Sequence, residues 1–416
     1  MRSRVLLVLA LLAIVAYLPT LSQPFIEDDY PNIAEAHALG MHIITDPIFG
    51  IRSTSFLLMD GLYRLFGMHA APYYAASILL HVFNTWLVYA LGYWRPIGYA
   101  ISAWGAGFFA VYEGHQEGIM WLSGATEPLL FVFGVAALVC WLHFLYERRW
   151  TWYLASIVAF VPALYSKESA FILVALFGLP IAFERKLWPR VGWLAPFALM
   201  ALAAVAHVLY TRTYSFRFND RSFSFHAPFW ITLPNSFARL YWFWGLAAII
   251  ALVSWRPARY KTVLAIGLIW SALALVPYSF LLYATRVPSR QTYLASTGLA
   301  LIVGYALATL TERYWAKRRV IVAAIAAIIL IQNVGYLWTK KRGQFLERAA
   351  PTDQLIAFAR TAKGPIYVRC FPRPPLVGDW AVRLTTGRED LIWDAARAAS
   401  AGSTFCYEGE PRRSIK

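Results

Sequence analysis

Residues 5–32 read VLLVLALLAIVAYLPTLSQPFIEDDYPN. The apolar part, 5–22, wound as a helix at about 1.5 Å per residue, approaches the roughly 30 Å of bilayer hydrocarbon. Arg2 and Arg4 precede it, and Glu27, Asp28 and Asp29 follow it. Bases before a span and acids after it put the start of the chain in the cytoplasm and the acids outside. No clean small-x-small cleavage site follows and further apolar runs do, so the run reads as a retained first helix rather than a signal peptide.

Similar runs recur along the chain. Of its 416 residues, 59% are hydrophobic and 14% charged, with a mean hydropathy of +0.52. A soluble domain carries about 25% charged residues, so lipid must cover much of this surface. Hydropathy predicts about eleven spans, at 5–22, 71–93, 97–112, 126–146, 151–166, 169–183, 192–211, 239–255, 262–283, 291–310 and 319–338. The stretch 54–67 is apolar but interrupted by Asp60 and Arg64, which suits either an interfacial helix or the base of the second span. The expected fold is an all-α polytopic membrane protein over 1–339, with a small α/β extracytoplasmic domain over 340–416.

The net charge of +16 does not point to nucleic acid, because no basic groove or domain stands apart from the spans. Most bases sit in short clusters that set topology. With the N-terminus inside, the inner loops hold Arg95; Arg148 and Arg149; Arg185, Lys186 and Arg190; Arg256, Arg259 and Lys261; and Arg313, Lys317, Arg318 and Arg319. The first outer loop holds Glu27, Asp28, Asp29, Glu35 and Asp46 instead. Lys167, Arg212, Arg217, Arg221, Arg286 and Arg290 fall in outer loops, where topology does not require them. Cations at that face suit a lipid phosphate; snorkelling to headgroups accounts for them equally well. The short loops and compact tail suit a bacterial inner membrane.

In the tail, 351–362 reads as a helix, 365–371 as a strand and 380–386 as a further element. Cys370 and Cys406 are the two cysteines outside the spans. An oxidising exterior permits a disulfide between them, although no spacing rule requires it.

Four clusters carry candidate chemistry. In Glu27-Asp28-Asp29-Tyr30, adjacent acids repel and one pKa rises unless a donor balances it. That suits a general base toward a hydroxyl; spacing alone favours a solvated acidic cap on the helix that follows. The turn Glu113-Gly114-His115-Gln116-Glu117-Gly118 leads through Trp121, Ser123 and Gly124 to Glu127, a density of polar groups at membrane depth that calls for a cavity or a partner. Lys167-Glu168 reads as a phosphate ligand or as a simple pair. Arg286-Val287-Pro288-Ser289-Arg290 precedes Tyr293, so Arg290 is a candidate phosphate clamp and Tyr293 a candidate lining of a lipid groove. Asp28, Asp29 and Glu117 have the oxygen chemistry for a hard divalent cation, but no spacing specifies one. Zinc, P-loop, dinucleotide and nucleophile-elbow patterns are missing.

In this order the clusters resemble the GT-C superfamily of membrane glycosyltransferases, and within it the protein O-mannosyltransferase group, including the tetratricopeptide-bearing enzymes and their bacterial relatives. That group has an acidic pair in the first outer loop, as Asp28-Asp29. It has a turn H-x-E-x-V-x-W-x-S-G, matched by His115, Glu117, Trp121, Ser123 and Gly124 with Ile119 at the Val position; a K-E pair, as Lys167-Glu168; and an E-R-Y-L-Y-L-P-S stretch matched at Arg290, Tyr293, Leu294 and Ser296 but with Ser289 at the acid and Ala295 at the proline. Arg52 and the run Leu79-Leu80-His81 also resemble the group. The resemblance covers about residues 1–300; the tetratricopeptide repeats are missing, which leaves the acceptor open among protein, lipid and polysaccharide. It implies inverting transfer of a hexose or pentose, such as mannose, from a polyprenyl-phosphate donor. Asp28 is then the base with Asp29 assisting, His115 and Glu117 shape the acceptor side, and Lys167, Arg286 and Arg290 neutralise the leaving phosphate. A transporter or flippase of a lipid-linked glycan is the alternative, but it calls for polar groups near the midplane and an inverted repeat.

Overall fold

The computed structural model describes residues 2–213, 224, 226–282 and 285–409. Its helices are α1 (Arg2–Tyr17), α2 (Asp29–Leu39), α3 (Ser53–Phe66), α4 (Ala70–Ala90), α5 (Gly98–Val111), the single turn α6 (Gln116–Ile119), α7 (Thr126–Glu147), α8 (Trp150–Leu164), α9 (Leu173–Phe183), α10 (Ala195–Thr213), α11 (Phe229–Tyr241), α12 (Trp244–Trp255), α13 (Tyr260–Leu275), α14 (Ser296–Tyr336), α15 (Arg342–Thr361) and α16 (Pro375–Thr386). This is a multi-pass, all-α membrane protein with a small C-terminal sheet.

Among the described residues, six helices are long and apolar enough to cross a bilayer, or seven if the pair α11 and α12, bent by 75°, counts as one span. The expected eleven are not reached on length. Those at 97–112, 151–166 and 169–183 are shorter apolar helices. The 14 residues of α5 extend about 21 Å. Such a helix survives because neighbours cover it: Phe108, Phe109 and Ala110 are all buried.

The spans expected at 291–310 and 319–338 are one helical run, α14, of 41 residues. Drawn straight it would measure about 60 Å. Yet Ser296 meets His115 at 2.7 Å and Asn333 meets Glu113 at 3.1 Å, partners only two positions apart. The run therefore doubles back, and both its ends lie at the acidic turn. Tyr305 lies at the opposite end of the bundle, where its hydroxyl accepts from the Arg259 amide, and Arg259 donates to the Arg95 carbonyl. Arg148 and Arg95 are also near enough to act on Arg190. The topological bases thus gather at one end and the acids at the other. Close backbone approach draws α14 in: a Cβ on Gly298 would lie 2.1 Å from the Gly267 carbonyl oxygen, so only glycine fits there.

The chain passes from α14 through a π-turn, Leu337–Lys341, directly into α15. The tail elements expected at 351–362, 365–371 and 380–386 are the second half of α15, β1 (Ile366–Cys370) and the end of α16. With β2 (Leu391–Ile392) and β3 (Ser403–Cys406) they form a parallel sheet of order β2-β1-β3. Cys370 and Cys406 pair across β1 and β3 as a disulfide, with Cα atoms 4.5 Å apart. The tail docks through an apolar seam in which Ile356 and Ala381 pack with Phe25, Tyr30, Ile33 and Ala36 of the first acidic loop and α2.

Candidate active site

The two adjacent aspartates have different surroundings. Asp29 opens α2 and is fully buried. Its Oδ2 accepts from the Ile26 amide at 2.9 Å; its Oδ1 accepts from the Ser123 amide at 2.8 Å and the Ser123 hydroxyl at 2.6 Å. Asn32 Nδ2 donates to Ser123 Oγ at 2.9 Å, which leaves that hydroxyl's only proton for Asp29. Burial pushes the Asp29 carboxyl up to about 7 against the pull of these donors, with a smaller push from Asp28. Asp29 is thus a clasp joining the first outer loop to the turn 113–124. Asp28, one residue earlier, is exposed.

Glu27 has a left-handed backbone, φ +46°, a conformation costing an ordinary side chain roughly 1–2 kcal/mol. Its half-buried carboxylate is met by Arg348 of α15 at 3.1 and 3.3 Å and by Arg373, after β1, at 2.7 Å. Arg348 also lies over the Trp121 ring at 4.6 Å, and Arg290 over the same ring at 4.8 Å, each within cation–π reach. Glu117 Oε2 accepts from the Arg290 amide at 3.2 Å.

At the same face a cavity of about 720 Å³ is lined by Glu113, Asn235, Arg239, Trp242, Trp244, Arg286, Gln332 and Asn333, among others. Burial raises the pKa of Glu113, opposed by the nearby charges of Lys341 and Arg239. Lys341 also feels Glu117, so turn and cavity form one electrostatic neighbourhood. Two arginines, indoles and side-chain amides make a lining suited to a phosphorylated, hydroxyl-rich ligand.

The surroundings of the other expected site residues differ from one to the next. His115 is fully buried among the rings of Phe109, Tyr112 and Tyr293. Ser296 Oγ donates to the Tyr293 carbonyl, so His115 Nε2 must be the donor in its own 2.7 Å bond to Ser296. Burial and nearby His81 hold the imidazole well below its usual pKa, hence neutral. Tyr293, expected at a lipid groove, is instead in the core, with its hydroxyl bonded to His81 and Asn84. The expected Lys167–Glu168 pair does not form. Lys167 is buried against Glu127, whose other oxygen accepts from Tyr278 at 3.0 Å, and Glu168 takes a two-toothed bond from Arg52. Arg286 is exposed on the cavity rim and Arg290 half-buried. Arg217, Arg221 and the Arg212 side chain lie outside the described residues.

Arg239, Arg348 and Arg373 escape sequence reasoning. Arg239 sits within a predicted span and the other two in the tail, so only the outward position of the tail hinted at them. Among the described residues, no three histidines, cysteines or acids converge as a metal site.

No protein-family model matches the sequence, and no curated protein matches it. Solved structures do match. The archaeal oligosaccharyltransferase AglB from Archaeoglobus fulgidus, in complex with an inhibitory peptide and a dolichol-phosphate, aligns at a TM-score of 0.56 and 12% identity over 95% of this chain. The chain spans only 64% of AglB. ArnT from Cupriavidus metallidurans aligns in its apo state at a TM-score of 0.55 and 14% identity, and bound to undecaprenyl phosphate at 0.53 and 15%. Each alignment covers 91% of this chain and 84% of ArnT. At such identities the likeness is one of fold alone.

Proposed function

We propose that this protein is a membrane glycosyltransferase that moves a sugar from a polyprenyl-phosphate donor to an acceptor hydroxyl with inversion. The observation that carries the reading is the division of the acidic pair: Asp29 is locked as a clasp, while Asp28 stands exposed on the face that holds the arginine-lined cavity. The likeness to structures holding dolichol-phosphate and undecaprenyl phosphate supports a lipid-linked donor.

Asp28 takes the proton of the acceptor hydroxyl as its oxygen attacks the anomeric carbon. The bond from that carbon to the phosphate oxygen breaks on the opposite face, which inverts the centre. The leaving polyprenyl phosphate gains negative charge, and Arg239 and Arg286 stabilise it where it develops. Arg290 and Glu117 shape the turn between loop and cavity, and His115 holds that turn from below. Lys167 has its charge met by Glu127, so the phosphate role expected of it passes to Arg239. The acidic end, with the tail, faces outward from a bacterial inner membrane, and the basic end faces the cytoplasm. The sugar is a hexose or pentose, and the acceptor is a hydroxyl of protein, lipid or polysaccharide. A divalent cation, if one takes part, would use the oxygens of Asp28 and Glu117.

The test is reconstitution in liposomes with short-chain polyprenyl-phosphate sugars and a panel of hydroxyl acceptors. The expected product carries the opposite anomeric configuration to the donor. Retained configuration, or movement of the lipid-linked sugar across the bilayer with no new glycosidic bond, contradicts the proposal.

A further inference from the structure

We infer that Glu27 is a positioning residue, and that through it the C-terminal segment completes the site by fixing the backbone that presents Asp28. The inference rests on the transferase reading. Three observations converge on it. Glu27 directly precedes Asp28 and holds a left-handed φ of +46°, a conformation that persists only where its surroundings enforce it. What surrounds it is the tail: Arg348 grips both carboxylate oxygens and Arg373 grips one. All three side chains are half-buried, so water screens the latch less than it screens a surface pair. An independent apolar seam then presses α15 and α16 onto Phe25 and Tyr30, on either side of the acids.

The latch also reaches the second acidic turn. Arg348 lies over Trp121, which Arg290 shares, and Trp121 stands two residues before Ser123, the partner of Asp29. The tail thus braces Asp28 twice: along the chain through Glu27, and across space through Trp121, Ser123 and Asp29. Arg373 follows the disulfide residue Cys370 by three positions, so its loop is anchored at the sheet. A tail held this way is a structural part of the reaction centre, and the donor site itself lies elsewhere, in the cavity around Arg239 and Arg286.

The test uses the full chain in liposomes and compares Glu27→Gly, Glu27→Gln, Arg373→Ala and Arg373→Lys with Asp28→Asn. Glycine accepts φ +46° without strain, so Glu27→Gly removes the carboxylate while keeping the backbone conformation accessible; Glu27→Gln serves if the glycine variant folds poorly. Both are expected to lower kcat by roughly tenfold to a hundredfold with KM for the lipid donor within about twofold, and to speed amide exchange over residues 26–32. Arg373→Lys is expected to fall between wild type and Arg373→Ala. Wild-type kcat in folded Glu27→Gly, with Asp28→Asn inactive, overturns the latch and leaves the transferase reading standing. If Asp28→Asn is as active as wild type, the base assignment falls and exchange alone judges the latch: faster exchange in Glu27→Gly upholds it, and unchanged exchange overturns it.

Discussion

Ser123→Ala probes the clasp at its most informative atom. The Ser123 hydroxyl gives its proton to Asp29 Oδ1 at 2.6 Å and receives one from Asn32. Alanine removes both bonds but leaves the Ser123 and Ile26 amides on the carboxylate. A hydrogen bond to a charged acceptor contributes about 1.5–3 kcal/mol and a neutral one about 1 kcal/mol. Which figure applies depends on pH, because the Asp29 carboxyl titrates at about 7 in the folded protein against an ordinary value of 3.8. Its pKa is raised on folding, so the proton is bound more tightly in the native state. The stability this contributes is complete below pH 3.8 and is lost as pH rises through about 7. At pH 8.5 the carboxylate is charged, and Ser123→Ala is expected to remove about 2 kcal/mol, or about 2 °C of melting temperature. At pH 5.5 Asp29 is protonated, and the loss falls to about 1 kcal/mol. Losing a donor also raises the Asp29 pKa further, so in the variant this contribution goes on falling to a higher pH before it is gone. The assay is thermal unfolding of detergent-purified protein across pH 5–9. An equal loss at both ends, or none, refutes the charged-clasp account.

Arg239→Ala and Arg286→Ala are each expected to raise KM for a polyprenyl-phosphate donor about tenfold, as a lost contact of about 1.4 kcal/mol implies; unchanged donor kinetics in the double variant would remove the cavity from the mechanism. Lys167→Ala strands the buried Glu127 carboxylate and is expected to destabilise the fold by about 3–5 kcal/mol, whereas Lys167→Met with Glu127→Leu keeps the volume and recovers much of that loss. Melting temperatures of the single and double variants decide this, and equal destabilisation by both would contradict the pairing.

The membrane fold was legible because hydrocarbon imposes length and composition on a span, and the acidic loop because its charges break so sharply from α1. Counting by length alone fails where neighbours cover a short helix, as at α5, whereas the two spans expected within α14 correspond to the two passes of a run that doubles back. The polar clusters of the candidate site were legible where the residues are neighbours in sequence, as at Asp28-Asp29. Pairing was not, since Lys167 lies nearer in sequence to Glu168 than to Glu127, and only the packing of α7 against the loop before α9 makes the distant acid its partner. Burial also separated look-alikes. Asp28 and Asp29 are equivalent as letters, and Tyr293 reads as a groove residue until the fold encloses it. The tail arginines Arg348 and Arg373 meet Glu27 only through docking, which leaves no pattern along the chain.

The most direct test of the central claim is the turnover of Asp28→Asn beside wild type, in liposomes loaded with a polyprenyl-phosphate sugar and an acceptor, with matched insertion and melting temperature. A lost base costs a factor of about 10²–10⁴, so the account predicts a fall in kcat of at least a hundredfold with donor binding intact. Asp28→Asn turning over at the wild-type rate would contradict it.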